Sequence, residues 1–97
     1  MGVFRLTQLA IADLQSIGRY TQATWGREQR NRYLRKLDQA FQLLLQEPHL
    51  GRACDHVRVG YRKHLVGRHL IFYREIQNDI EIVRILHHSM DIDTHFD

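Results

Sequence analysis

The sequence predicts an α+β fold made of a short N-terminal strand, an antiparallel helical hairpin and a three-stranded antiparallel meander. Three observations carry this. Apolar residues recur every three or four positions from Ala10 to Leu45, the period drops to two beyond Val57, and Gly26 and Pro48 stand where the helical pattern breaks. With 97 residues, 43% of them hydrophobic, the chain has room for one modest core, so we read residues 1–97 as a single domain. A multidomain enzyme is excluded.

From Val3 to Thr7 the chain alternates, which predicts a first strand ending on Thr7, a helix N-cap. Ala10, Leu14, Ile17, Thr21 and Trp25 then form one helical stripe, while Asp13, Ser16, Arg19 and Gln22 face elsewhere. Gly26 supplies the conformation that ends a helix at little steric cost. A second stripe, Tyr33, Leu34, Leu37, Phe41, Leu44 and Leu45, runs through Glu47 and stops at Pro48. Two helices joined at one glycine fold back on each other.

Val57, Val59 and Tyr61 alternate with Arg58, Gly60 and Arg62, which predicts a strand with both arginines on one face. Val66-Gly67-Arg68 is a turn, His69 to Ile76 the next strand, and Gln77-Asn78-Asp79 a second turn. Ile80 to His87 is the most apolar strand and is expected at the centre of the sheet. Met90 to Asp97 reads as a polar tail.

Fourteen Lys and Arg against eleven Asp and Glu give a formal +3 with histidines neutral. Three of the acids, Asp91, Asp93 and Asp97, lie in the last seven residues, so residues 1–90 carry fourteen bases against eight acids. The body is basic and suits an acidic or nucleic-acid partner. The single cysteine, Cys54, excludes an internal disulfide and is expected to be a small buried hydrophobe. No apolar run approaches the roughly 20 residues of a membrane helix, and the start of the chain lacks a secretion-signal pattern. A cytoplasmic protein without membrane association is expected.

Bases cluster at the start of the second helix, including Arg32 and Arg35, and again in the strand half. Arg58 and Arg62, separated by Gly60, form a row of guanidinium forks suited to carboxylates or phosphates. Arg84 sits inside an apolar strand, where an unpaired charge is costly, and needs either a functional partner or an ion pair with Glu75 or Glu81. His87 and His88, adjacent on a strand, point to opposite faces, and Cys54 with His56 lacks a second ligand pair, so no metal or cofactor is expected. Metal-free RNA cleavage needs a base, an acid and cations on the phosphorane. On that alternative the catalytic candidates are His87, His88, Arg84 and Tyr73.

Several runs together resemble the ParE toxins of the RelE/ParE superfamily: Trp25-Gly26-Arg27-Glu28-Gln29, the Pro48–Gly51 turn, Val57-Arg58-Val59-Gly60-Tyr61-Arg62, His69-Leu70-Ile71-Phe72-Tyr73 and Ile85-Leu86-His87-His88-Ser89-Met90-Asp91. The resemblance spans Phe4 to Asp91 and implies the element order that periodicity gives. It further implies the toxic half of a type II toxin–antitoxin pair, a non-enzymatic protein that inhibits DNA gyrase and is neutralised by a ParD-like antitoxin in a hetero-oligomer. Sequence-specific nucleic-acid binding is not expected. The runner-up is a ribosome-dependent messenger RNA endoribonuclease of the RelE branch. Under the ParE reading, Arg58, Tyr61, Arg62, His69, Arg84, Arg32 and Arg35 are candidates for target or partner contact. Leu9, Ile11, Tyr20 and Leu50, at the edges of the apolar stripes, are candidates for an antitoxin groove.

Overall fold

A computed structural model describes residues 2–90 and 92–96. Strand β1 (Phe4–Leu6) leads into helix α1 (Gln8–Trp25), which is followed by helix α2 (Arg27–Gln46). Four strands come next: β2 (Arg52–Ala53), β3 (Tyr61–Val66), β4 (His69–Ile76) and β5 (Asp79–His87). A one-turn helix, α3 (Ile92–His95), closes the described chain. No helix among these residues is long and apolar enough to cross a membrane.

The expected caps are in place. Thr7 accepts from the Ala10 N–H at 3.0 Å, satisfying one of the free donors at the start of α1. Gly26, at φ 94°, donates to the Gln22 carbonyl and accepts from the Arg30 N–H, so one residue ends α1 and starts α2. The bend places the helices side by side on one face of the sheet.

The sheet order is β1-β5-β4-β3-β2. β3, β4 and β5 form the antiparallel meander, β1 joins β5 in parallel, and β2 adds a two-residue antiparallel edge to β3. β5 thus lies between two strands, as its apolar sequence requires. β1 stops at Leu6, opposite Ile82, and the start of α1 takes over the open edge of β5 beyond it. Thr7 donates its N–H to the Ile82 carbonyl and its hydroxyl to the Val83 carbonyl, and Asp13 accepts from the Ile85 N–H at 2.9 Å. Val83 lies in a register shift against β4, which pairs Phe72 with Arg84 and Tyr73 with Ile82.

The main core joins Ala10, Ile17, Leu37, Phe41 and Leu44 of the hairpin to Ile71, Tyr73, Ile80, Ile82 and Ile85 of the sheet. Trp25, expected in this core, is 65% exposed at the hairpin bend. A smaller cluster of Cys54, Phe72 and Leu86 fills the opposite face, and Ile92 and Phe96 pack against it. The expected polar tail is therefore partly apolar: Ile92 and Phe96 pack against this cluster, with the Phe96 ring 4.9 Å from that of Phe72. Asp91 and Asp97 of that tail lie outside the described residues.

The strand expected from Val57 begins only at Tyr61. Asp55 accepts from the Gly60 N–H at 2.8 Å, Cys54 O accepts from the Val57 N–H, and Gly60 takes φ 88°, which together wind residues 55–60 into turns. Val59 is left 90% exposed, and Arg58 and Arg62 do not share a strand face.

Candidate partner-binding surfaces

The hairpin and β1 enclose an open groove of about 590 Å³. Its floor is apolar, with Leu6, Leu14, Leu34 and Phe41, and Gly18 keeps the α1 side low. Its rim is polar. Arg30 reaches from α2 back to Gln22 on α1 and also holds Asn31 at 2.9 Å, and Arg19 lies nearby on α1. A long apolar floor with a partly cationic rim suits an amphipathic segment with acidic edges.

None of the expected groove residues lines this groove. Leu9, Ile11, Tyr20 and Leu50 are 58%, 45%, 69% and 45% exposed, but on other surfaces. Leu9 and Tyr20, eleven residues apart, share one flank of α1, away from α2. The lining of this groove comes from the apolar stripes themselves, and Leu50 borders a separate hollow beside β3.

The expected cationic candidates have separate surroundings. Arg84 pairs with Asp13 rather than Glu75 or Glu81: Nε and Nη2 each reach an Asp13 carboxylate oxygen at 2.9 Å, and Nη1 donates to the His95 carbonyl at 3.2 Å. The pair is largely buried, and the carboxylate bond raises the guanidinium pKa. Glu81 instead pairs with Arg74, and Glu75 with His49. Arg62 donates to the Gly51 carbonyl and Arg58 to the Phe96 carbonyl. Tyr61 meets Phe96 edge-on at 5.9 Å. On α2, Arg35 is exposed and Arg32 makes a loose 3.8 Å contact with Glu28.

Tyr73 is fully buried, donating to Pro48 O at 2.7 Å and accepting from the Gly51 N–H at 2.9 Å. It anchors the loop after α2 to the sheet. Of the expected cleavage set, His87 and His88 lie together, while Tyr73 is fixed in the helix-facing core and Arg84 is bound to Asp13.

An imidazole cluster forms elsewhere, at the end of the sheet. His69 Nδ1 meets the Tyr33 hydroxyl at 2.6 Å, and the His69 ring stands edge-on to His87 at 5.5 Å. His87 and His88, expected on opposite faces, stack at 4.5 Å and 29°, because β5 ends at His87 and His88 already belongs to the turn. Burial, helped by the neighbouring His87 and His88 charges, lowers the His69 pKa to about 4, while burial raises that of Tyr33. A general base or acid works best near the operating pH, and these two groups are pushed away from neutrality in opposite directions. Sequence reasoning missed Tyr33 in this cluster because its place in an apolar stripe marked it as core.

Residues 4–92 match the family described as the ParE toxin of type II toxin-antitoxin system, parDE. The chain is 42% identical over 91 residues to Toxin ParE1 of Mycobacterium tuberculosis, covering 93% of each protein. It is 37% identical over 95 residues to Toxin ParE1 of Caulobacter vibrioides, covering 98% of each. Among solved structures, a chain of the chromosomal ParDE toxin–antitoxin system from P. aeruginosa superposes with a TM-score of 0.77 at 21% identity, covering 90% of this chain and 96% of that one.

Proposed function

The chain belongs to the ParE toxin family of type II toxin–antitoxin systems, and we propose that it acts in the cytoplasm by binding DNA gyrase, without catalysing a reaction of its own. The observation that supports the non-enzymatic part is that two of the four cleavage candidates are engaged inside the fold. Arg84 and Tyr73 are spent on internal bonds, and the His69–Tyr33 pair is tuned away from neutral-pH proton transfer. Target contact falls to exposed cations such as Arg35, Arg32 and Arg58.

Neutralisation by a ParD-like antitoxin is assigned to the hairpin groove. An amphipathic antitoxin helix would bury Leu14, Leu34 and Phe41 and set carboxylates against Arg19 and Arg30. A supercoiling assay with purified gyrase tests the target. Loss of supercoiling that returns on adding antitoxin is the expected result, and full gyrase activity at a large toxin excess would exclude gyrase. Cleavage of messenger RNA in a translating extract by the same preparation would favour the nuclease alternative.

A further inference from the structure

We propose that Arg68, His87 and His88 form a sequence-independent site for the phosphodiester backbone of a nucleic acid. The three residues are fixed together by the backbone. The β3–β4 turn carries Arg68, whose carbonyl accepts from the His88 N–H at 2.9 Å, and the Tyr33 hydroxyl accepts from the Arg68 N–H at 3.1 Å. The turn is thus tied both to the end of β5 and to α2.

The donors are also oriented. The Ser89 backbone N–H can only donate, and it points at His87 Nδ1 at 3.2 Å, with Ser89 Oγ at 2.7 Å from the same atom. Nδ1 is therefore an acceptor, and the neutral ring carries its proton on Nε2, which is left to donate to a ligand. His88 lies against this ring and is exposed, as is Arg68. Among the described residues, no carboxylate pairs with Arg68, His87 or His88. Asp13, an acid whose charge reaches the adjoining His69, is already bound by Arg84.

A guanidinium fork, an Nε2–H and a second imidazole are donors of the kind that hold phosphate oxygens, which a phosphodiester spreads around a tetrahedral centre. The exposed His88 ring can also stack a base on its outer face, which fits a nucleic acid and not an acidic peptide. The site is independent of the gyrase assignment.

The test is fluorescence anisotropy of the toxin with a labelled 20-base-pair DNA duplex and with a single-stranded RNA of equal length, the stronger arm identifying the source of the phosphodiester. Arg68→Gln with His88→Gln should weaken binding at least tenfold and reduce the dependence on salt. Lys36→Gln, which removes the same formal charge from an exposed position of α2, should change binding less than twofold. Circular dichroism melting checks that each variant is folded. No binding to either nucleic acid, or equal losses in the two variants, would overturn the proposal.

Discussion

Asp13 of α1 and Arg84 of β5, 71 residues apart in sequence, form a two-pronged ion pair in which the same carboxylate also accepts the Ile85 backbone N–H. One side chain therefore fastens the hairpin to the sheet, neutralises a cation inside an apolar strand and occupies the strand edge that β1 is too short to cover. An open edge invites pairing with other chains, and Asp13 removes that risk at Ile85.

Removing Asp13 alone strands the Arg84 charge. Asp13→Ala should destabilise the fold by about 2–4 kcal/mol, since breaking a buried pair costs more than the pair contributes. Asp13→Leu combined with Arg84→Met should cost less than Asp13→Ala. Urea unfolding of the variants measures both, and a double variant less stable than the single one would contradict this account.

Tyr73→Phe keeps the ring and deletes one hydroxyl, leaving the Gly51 N–H and Pro48 carbonyl without their partner. A loss of about 1–3 kcal/mol follows from the unsatisfied buried groups. Toxicity should fall only in proportion to stability, measured by comparing growth arrest with melting temperature; arrest lost at unchanged stability would restore a direct role for the phenol.

His69 gives the fold a pH signature. Its folded-state pKa of about 4 lies below the ordinary value of 6.5, so the unfolded chain binds the proton more readily. The contribution of neutral His69 is full above pH 6.5 and is lost as pH falls toward 4. The full shift would correspond to about 3 kcal/mol, and contact of the ring with water reduces this to no more than about 2 kcal/mol. The unfolding free energy of His69→Gln should fall less between pH 6.5 and 4 than that of the unmodified protein. Parallel pH curves would contradict the assignment.

Element order was legible because each element carries its own period and its own stop: Thr7, Gly26 and Pro48 bound the helices as expected. The strand expected at Val57 failed for a local reason. Asp55 and Gly60 form a side-chain-to-backbone turn that outweighs three alternating residues. The Asp13–Arg84 pair was invisible because helical phase places Asp13 off the apolar stripe, and only the shortness of β1 turns that flank toward β5. The groove and the imidazole cluster depend on contacts between distant elements, such as Tyr33 with His69, which a one-dimensional period does not encode.

Antitoxin recognition should be sensitive to charge at the groove rim. Arg19→Glu with Arg30→Glu should weaken binding of the ParD-like partner at least tenfold, chiefly by faster dissociation, with melting temperature little changed. Surface plasmon resonance reads the rates. Unaltered affinity would move the antitoxin to another face, with the exposed Leu9–Tyr20 flank the next to examine.

The toxin is expected to arrest gyrase by binding, and plasmid DNA reports this directly. Gyrase, supercoiled plasmid and toxin are incubated, then treated with detergent and protease. Accumulation of linear DNA that requires all three components and disappears on adding antitoxin is the predicted result. Absence of linear product at a large toxin excess, together with cleaved transcripts in a translating extract, would contradict the claim.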